Sequence, residues 1–279
     1  MSARVALSVA GSDPSGGAGI QADLKAFSAL GAYGCAVLTA LTAQSTRGVT
    51  GVHVVPASFV VDQLTTLLDD VAVHATKTGM LPTAEVVEAV AGVLGGGTAG
   101  PVVVDPVMVA TSGDALVDAE AVAAIRDVLL PVAALVTPNV PEAARMLCTD
   151  PARSEADLRA QAVALLDLGP AAVLVKGGHL ADELGEGVDV LAVRGGGVHV
   201  SRRPVVPTSN THGTGCTLSA ALAAVATVPS TAGAAPDWPA LVEDARDLLQ
   251  AGLEAADDLH VGTGNGPVHH LAQLWGDHR

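Results

Sequence analysis

The sequence predicts a three-layer α/β/α fold, in which helices cover both faces of a mostly parallel central sheet. Apolar runs such as Pro101–Val104, Leu135–Thr137 and Ala172–Lys176 carry few polar residues, as expected for strands that are buried on both faces. These runs alternate with stretches of helical periodicity along most of the chain. Such alternation favours parallel pairing, because each crossover helix returns the chain to the same edge of the sheet.

The first half of the chain is predicted to open with a strand and a helix. The helix is predicted over Ala18–Leu30, where Ile20 and Phe27 mark one apolar face together with Leu24. Gly31 then provides a typical end signal. The other elements of this half, in order, are the strands Arg4–Ala10, Cys35–Leu41 and Val52–Val55, the helix Ala57–Val71, the extended segment Ala75–Met80 and the helix Thr83–Leu94.

The second half is predicted to contain the three buried strands named above and a hairpin. Val188–Val193 and Val198–Ser201 both read as strands, and the glycine-rich turn Arg194–Gly197 joins them. Two helices complete this half, over Thr217–Thr227 and Leu241–Asp257.

Length and composition favour one folded domain. A chain of 279 residues fits one large α/β domain, and 49% apolar residues exclude intrinsic disorder. Residues 95–100 and 229–236 have turn-forming compositions but are too short to mark a domain boundary. Residues 1–279 are therefore predicted to form a single domain.

The charge of the chain limits its partners. Lys and Arg total 14 and Asp and Glu total 29, which gives a formal net charge of −15. An acidic surface repels phosphate backbones, so nucleic acid is excluded as a partner. No apolar run approaches the roughly 20 residues that a membrane helix needs, and no membrane partner is predicted. Small-molecule ligands remain the expected partners.

The cysteines indicate a reducing compartment. Cys35, Cys148 and Cys216 are odd in number, lie far apart and show no CxxC spacing. This pattern argues against a disulfide framework or a zinc site and favours a cytoplasmic protein.

Two segments of the first half are candidates for ligand contacts at the carboxyl edge of the sheet. Residues 11–23 (GSDPSGGAGIQAD) follow the first strand and open a helix, where glycines let a ligand approach and the helix N-terminus favours anions. A plain tight turn explains these glycines equally well. Asp23 is either an ordinary first-turn acid or a ligand contact. Gln44 can donate and accept hydrogen bonds to a heteroaromatic ring, although a solvated loop glutamine is the simpler interpretation.

Charged residues follow three neighbouring strands. Asp105 and Glu142 could hold Mg²⁺ directly or through water, although Glu142 could instead be a helix-start acid. Lys176 ends a buried strand in a chain with only three lysines, which makes it a candidate for binding a transferring phosphate. A surface lysine is the alternative interpretation.

The segment 210–221 (NTHGTGCTLSAA) carries the strongest anion-binding signal. Glycines precede a helix of small residues, so consecutive N–H groups could point at one anion. Cys216 lies at the helix start, where the helix dipole would lower the pKa of a thiol, although a small buried residue is the alternative. His212 could contact phosphate but is more typical of a turn.

Taken together, these segments resemble one enzyme family. GSDPSGGAGIQADLK, DPVM, NVPE, KGGH and NTHGTGCTLSAA occur in this order. They are similar to the bacterial hydroxymethylpyrimidine/phosphomethylpyrimidine kinase family of thiamine biosynthesis, which has a ribokinase-like fold. The resemblance runs from Val5 to the Gly262–His269 stretch. It implies two successive ATP-dependent phosphorylations of 4-amino-5-hydroxymethyl-2-methylpyrimidine, first on its hydroxymethyl oxygen and then on the resulting monophosphate.

The resemblance also implies roles for individual residues, a cytoplasmic homodimer, ATP as co-substrate and Mg²⁺ as cofactor. The aminopyrimidine pocket would be formed by Gln44, Asp23, Gly11, Met80 and Val107. Mg²⁺ would be held by Asp105 and Glu142. ATP would be bound by Lys176, Thr211, Thr214 and Arg246. The phosphoryl transfer itself would depend on Cys216, Lys176, Gly213 and Gly215. Cys216 stands where sugar kinases of this superfamily carry a base aspartate. Thr111 and Arg246 replace lysines that are common in the family, which bears on ATP affinity.

The sequence is also compatible with other functions. Pyridoxal kinase is the nearest alternative, because relatives in the same superfamily accept that ring. A catalytically silent ligand-binding protein on the same fold is a second alternative, against which the intact Asp105, Glu142, Lys176 and Cys216 count. A sugar kinase fits less well, because Cys216 replaces the base aspartate.

Overall fold

A computed structural model describes residues 3–108, 117–181, 185–228 and 235–275. Its centre is an eight-stranded sheet with the order β10-β9-β8-β7-β6-β5-β1-β2. Six of these strands run parallel, whereas β9 and β10 are antiparallel to their neighbours. The strands are β1 (Val5–Ala10), β2 (Tyr33–Leu38), β3 (Ala40–Ser45), β4 (Gly48–Val54), β5 (Ala75–Thr78), β6 (Val102–Val104), β7 (Leu135–Val136), β8 (Ala172–Lys176), β9 (Gly187–Val193) and β10 (Gly197–Arg203).

Helices cover both faces of this sheet. They are α1 (Gly19–Ala29), α2 (Ala57–Asp70), α3 (Ala84–Leu94), α4 (Ala119–Ala124), α5 (Val140–Leu147), α6 (Glu155–Leu166), α7 (Thr214–Ala226), α8 (Trp238–Glu254) and α9 (Ala272–Trp275). Two apolar cores separate the layers: α1, α7 and α8 pack on one face, and α2 to α6 pack on the other. The predicted fold class, a mostly parallel sheet between helical layers, is confirmed.

Alternate residues of a single strand lie in different apolar cores. In β1, Leu7 points to the layer of α2 to α6 and Ala6 points to the layer of α1 and α7. All six residues of β1 are buried, as are all three of β6. Burial on both faces explains why these strands carry uninterrupted apolar sequence rather than alternation.

The strand predicted over Cys35–Leu41 is in fact two elements. Thr39 separates β2 from β3: its hydroxyl donates to the carbonyl of Met80 at 2.7 Å, and its N–H donates to the carbonyl of Ala10 at 3.1 Å. These bonds turn the chain out of the central sheet, and β3 pairs with β4 as a separate antiparallel hairpin. The apolar run continues across Thr39, so the sequence alone did not show this break.

Four of these helices were not predicted, namely α4, α5, α6 and α9. Helix α5 begins with a capping box, in which Asn139 Oδ1 accepts the Glu142 N–H and Glu142 Oε2 accepts the Asn139 N–H. The Asn-x-x-Glu spacing is the sequence signal for this start. Ser154 caps helix α6, where its hydroxyl oxygen accepts the Asp157 N–H at 3.2 Å.

None of the helices in the described parts of the chain combines the length and the apolar character that a membrane span requires.

Candidate active site

A cleft of about 780 Å³ opens along the edge of the sheet at which the parallel strands end. Residues from the first glycine-rich turn, from the ends of β5, β6 and β8, and from the start of α7 line it. The predicted site residues that line this cleft are Gly11, Gln44, Met80, Asp105, Val107, Glu142, Lys176, Thr211, Gly213, Thr214, Gly215, Cys216 and Arg246. Segments separated by up to 235 positions in the sequence, from Gly11 to Arg246, therefore meet at one place.

An ion pair lies at the centre of the cleft. Lys176 Nζ donates to Asp105 Oδ1 at 2.9 Å, and Ser219 Oγ of α7 donates to Asp105 Oδ2 at 3.1 Å. Asp105 is 2% exposed and Lys176 is 14% exposed, so the ammonium is the member of the pair that reaches the cleft. Burial alone would lower the pKa of Lys176, but the neighbouring carboxylates of Asp105 and Glu142 raise it. Lys176 therefore keeps its positive charge at neutral pH.

Glu142 faces the same pair from the first turn of α5. Burial raises the pKa of Glu142 to about 7, with Lys176 opposing the rise and Asp105 adding to it. Asp105 and Glu142 thus place two carboxyl groups beside the single Lys176 ammonium. Glu142 is a helix-start acid, as one interpretation predicts, and it also lines the cleft, where its metal role stays a prediction.

The start of α7 closes the cleft over the ion pair. Gly213 has φ of 80°, in the left-handed region, and a Cβ there would lie 1.8 Å from the carbonyl oxygen of Gly17. A Cβ on Gly215 would lie 3.2 Å from Lys176 Nζ, so the helix N-terminus faces the ammonium directly. The first N–H groups of a helix lack partners in the helix itself and attract anions. This arrangement has the properties of a phosphate-binding loop.

The structure corrects the prediction for the thiol of Cys216. The helix dipole was expected to lower its pKa, but burial raises the pKa to about 11, although the nearby Lys77 ammonium and the Gly19 N–H act in the opposite direction. Asp23 and Asp105 add to the rise. Cys216 lines the cleft as expected, and its thiol is predominantly protonated at neutral pH.

The cleft is lined by three of the residues that are predicted to form the aminopyrimidine pocket, namely Gln44, Met80 and Val107. Gln44 lies within β3 rather than in a loop, next to a register shift between Ala43 and Gln44. Its Oε1 accepts the hydroxyl of Thr42 at 3.1 Å, which leaves its amide N–H groups available to the cleft.

Asp23 does not line the cleft, contrary to the prediction. Its side chain is fully buried and accepts hydrogen bonds from Lys77 Nζ and from Ser8 Oγ. Asp23 lies beside the apolar stripe of α1, so the side chain points into the protein and meets a lysine there.

The residues predicted to bind the nucleotide also line the cleft. Arg246 lines the cleft and its Nη1 lies 3.1 Å from Asp189 Oδ2. Thr214 Oγ1 donates to the carbonyl of Thr211 at 2.6 Å, which braces the turn before α7. Thr111 lies outside the described residues.

Sequence reasoning missed the link between the two glycine-rich loops. The Asp13 carboxylate accepts the N–H of Ser15 at 2.9 Å, the N–H of Ala18 at 2.8 Å and Nε2 of His212 at 2.7 Å. Asp13 and His212 are 199 positions apart, and both line the cleft. Burial would raise the pKa of Asp13, but the hydrogen bonds from His212 and Ser15 outweigh it and hold the pKa below its ordinary value.

Comparison with known proteins agrees with this geometry. The sequence model of the phosphomethylpyrimidine kinase family matches residues 13–269. The chain belongs to this family. It is 50% identical to the hydroxymethylpyrimidine/phosphomethylpyrimidine kinase of Escherichia coli over 270 residues, which cover 97% of this chain and 98% of the relative. It is 49% identical to the enzyme of the same name from Rhizobium meliloti, over 98% of this chain and 99% of the relative.

Solved structures place the phosphomethylpyrimidine kinase family among vitamin kinases with the ribokinase-like fold. The Bacillus subtilis pyridoxal kinase, solved as an ADP complex, superposes with a TM-score of 0.85 at 33% identity and covers 98% of this chain and 99% of its own. The phosphomethylpyrimidine kinase of Clostridium difficile gives a TM-score of 0.74 at 34% identity, over 88% of this chain and 97% of its own. The expected family and fold are thus confirmed.

The Asp13–His212 link predicts a pH-dependent contribution to stability. Asp13→Asn is expected to lower the free energy of unfolding by about 1–3 kcal/mol, because it weakens charge-assisted hydrogen bonds at a buried site. The folded pKa of Asp13 is depressed, so this contribution is present above about pH 4 and is lost as the pH falls through the folded pKa. Thermal unfolding of both proteins between pH 3 and pH 8 measures it.

A matched change at Asp157 provides the control. Asp157 accepts the Arg153 N–H and the Ser154 hydroxyl at an exposed helix start away from the cleft. Asp157→Asn should lose less stability and leave substrate KM unchanged. Equal losses in the two variants at pH 7 would contradict a special role for the Asp13–His212 link.

Proposed function

We propose that this chain is an ATP-dependent kinase that phosphorylates 4-amino-5-hydroxymethyl-2-methylpyrimidine to its monophosphate and then to its diphosphate, in thiamine biosynthesis. One observation carries this proposal: Gln44 and Cys216 line the same cleft, with the Lys176–Asp105 ion pair beside them. The curated relatives that cover almost the whole chain carry the name of this enzyme. A coupled assay of ATP consumption with hydroxymethylpyrimidine, its monophosphate and pyridoxal tests the proposal. No consumption with any of the three would support a catalytically silent protein.

The residues present fit a magnesium–nucleotide complex. Mg²⁺ commonly binds through one or two carboxylates together with substrate phosphates and water. Asp105 and Glu142 supply such carboxylates, and both line the cleft. These two residues would hold the ion directly or through water. When bound, Mg²⁺ would neutralise charge on the phosphates.

The nucleotide phosphates would lie between Lys176 and the start of α7. Support comes from neighbours of this fold, including a Staphylococcus aureus pyridoxal kinase solved with ADP that superposes with a TM-score of 0.86. Lys176 would donate to a phosphate oxygen, and the N–H groups around Gly213 and Gly215 would hold the transferring group. Thr211, Thr214 and Arg246 would contact the nucleotide.

Most of the rate acceleration would come from alignment and charge. Phosphoryl transfer depends on positioning donor and acceptor in line and on compensating negative charge. Gln44 would hold the aminopyrimidine ring by its amide, with Gly11, Met80 and Val107 as the walls of the pocket. Lys176 and the backbone of α7 would stabilise the charge on the phosphoryl group.

Cys216 would act on the acceptor hydroxyl. With a pKa of about 11, the thiol is a weak source of thiolate at neutral pH, so any base action grows as the pH rises. The monophosphate acceptor of the second step is anionic already and has little need of a base. The two steps therefore depend differently on Cys216.

Cys216→Ala is expected to reduce kcat of the first step more than kcat of the second. A base contributes about 10²–10⁴-fold, and the protonated state of this thiol places the expected loss near the lower end, at about 10²-fold. The variant should also lose the rise of first-step kcat between pH 7 and pH 9. Steady-state kinetics of both steps across this range measure the difference.

Cys35→Ala is the matched control. Cys35 is half-buried on β2, burial also raises its pKa, and it does not line the cleft. It should leave both steps unchanged. Equal losses of the two steps in Cys216→Ala would assign Cys216 to shaping the anion loop instead.

Pyridoxal is the second candidate substrate. Pyridoxal kinases of B. subtilis and S. aureus superpose on this chain with TM-scores of 0.85 and 0.86, at 33% and 31% identity. The identities to hydroxymethylpyrimidine/phosphomethylpyrimidine kinases are higher, at 49–50%, and favour the aminopyrimidine. A kcat/KM for pyridoxal above that for hydroxymethylpyrimidine would reverse this order.

We also propose that residues 1–279 act as one kinase domain in a cytoplasmic homodimer. All three cysteines are free thiols, which suits a reducing cytoplasm. The apolar side chains of Tyr33 on β2, Leu41 on β3 and Phe59 on α2 are 64%, 45% and 56% exposed, and they would suit contact with a second copy. Sedimentation equilibrium distinguishes dimer from monomer.

A further inference from the structure

Lys77 is a fully buried lysine at the cleft wall that the proposed reaction does not yet use. It lies in β5, and its side chain has no exposed surface. Its Nζ donates to both oxygens of Asp23, at 2.9 and 2.8 Å, and Ser8 Oγ donates to the same carboxylate at 2.5 Å. A buried charge of this kind is costly unless it is paired and held in place, as this one is.

The ion pair is oriented, with its positive end toward the cleft. Lys77 is among the residues that line the cleft, and Asp23 is not. The N–H of Gly19, one turn before Asp23 on α1, also favours the thiolate form of Cys216. Helix α7, which carries Cys216, packs on both α1 and β5. Lys77 and Asp23 therefore both lie close enough to Cys216 to act on the charge of its thiol.

We propose that Lys77 is a positioning residue that holds a fixed positive charge beneath Cys216, with Asp23 as its buried counter-ion. This inference rests on the proposed function and deepens it, because the charge would favour the thiolate form of Cys216, and the thiolate accepts the proton that leaves the acceptor hydroxyl. Asp23 then serves the pocket through Lys77 rather than as a substrate ligand. Lys77 acts through Cys216 and is not itself the base.

Each charge that faces Cys216 has a defined sign. Lys77 on β5 favours the thiolate, whereas Asp23 on α1 and Asp105 after β6 oppose it. From β8, Lys176 also interacts favourably with the thiolate. Removing Lys77 and neutralising Asp23 should therefore change thiol reactivity in opposite directions. A purely structural role would change it in the same direction, because loosening the core exposes the thiol in both variants.

Alkylation by iodoacetamide provides a test that does not require turnover. The full-length wild type, Lys77→Met and Asp23→Asn are treated at pH 8, and mass spectrometry follows the peptide that contains Cys216. Lys77→Met should slow alkylation of Cys216 by about 10-fold, because the rate follows the thiolate fraction and one unit of pKa changes that fraction tenfold. Asp23→Asn should speed it by several-fold. A shift of both variants in one direction, or no shift in either, overturns the proposal.

Internal and folding controls keep the result interpretable. Alkylation of the exposed Cys148 in the same samples should be unchanged. If Lys77→Met fails to fold, the double variant Lys77→Met/Asp23→Asn removes both charges together, and it should react more slowly than Asp23→Asn alone. Equal or faster alkylation in the double variant overturns the proposal.

Kinetics separate this inference from the proposed function. Lys77→Arg keeps the charge and should retain more of the first-step kcat than Lys77→Met, with similar KM for ATP. The expected alkylation pattern in an enzyme without kinase activity would leave the charge role intact and refute the proposed function. Kinase activity with alkylation rates that move together would refute the role of Lys77 alone.

Discussion

Replacing Gly213 with alanine should abolish most activity and destabilise the fold. The left-handed φ of 80° costs an alanine about 1–2 kcal/mol. The added Cβ would also lie 1.8 Å from the Gly17 carbonyl oxygen, which is backbone and cannot move aside as a side chain could. The two glycine-rich loops must then separate. A displacement of this size in a positioning loop lowers kcat by about 10²-fold or more.

A second glycine isolates the clash from the backbone strain. Gly97 has a similar φ of 77°, and a Cβ there would meet no atom within 4 Å. Gly97→Ala should therefore lose about 1 kcal/mol of stability and no activity. Urea unfolding gives the two stability changes, and steady-state kinetics give the activities. A Gly213→Ala variant that resembles Gly97→Ala in both would show that the loops do not depend on this contact.

The elements that could be predicted are those whose burial shows directly in their own residues, as an uninterrupted apolar run. Strand β6 is apolar throughout, and β8 is apolar up to its last residue, Lys176, because helices cover both faces of these strands. Parallel strands end at the same edge of the sheet, so Asp105 and Lys176 could be placed together from their positions after β6 and in β8. Their 2.9 Å contact agrees with that expectation.

What could not be predicted depends on contacts between distant segments. The break at Thr39 requires the Met80 carbonyl, 41 positions away, to accept its hydroxyl. The sequence shows that Cys216 starts a helix, and the helix dipole lowers a thiol pKa. It does not show that burial outweighs the dipole and raises this pKa to about 11. The helix dipole does act to lower the pKa of the thiol, but burial has the larger effect and raises it.

Buried ion pairs are the other category that sequence reasoning misses. A carboxylate beside the apolar stripe of α1 is equally compatible with a ligand contact and with an internal partner. Only the register of β5 against β1, which places Lys77 opposite Ser8, reveals that Asp23 has an internal partner. The same limit applies to Asp13 and His212, whose contact joins segments that are 199 positions apart.

Lys176→Met should reduce kcat of both phosphorylation steps by about 10²–10³-fold, the usual effect of losing one donor to a developing negative charge. Both steps should suffer alike, because Lys176 acts on the phosphoryl group, which the two steps share. This behaviour contrasts with the unequal effect expected for Cys216→Ala. Single-turnover kinetics with each acceptor measure the chemical step directly.

Lys176→Arg separates charge from geometry. Arginine keeps the positive charge, but its planar fork presents donors differently from a single ammonium. It should therefore recover part of the loss in kcat while binding ATP with a similar Kd. The two variants should also differ in the pKa of Glu142. Lys176→Met removes the positive charge that lowers this pKa, so the already raised pKa of Glu142 should rise further in that variant than in Lys176→Arg. If Lys176→Met lowered kcat less than about fivefold in both steps, the charge that stabilises the transferring group would have to come from the backbone of α7 rather than from this lysine.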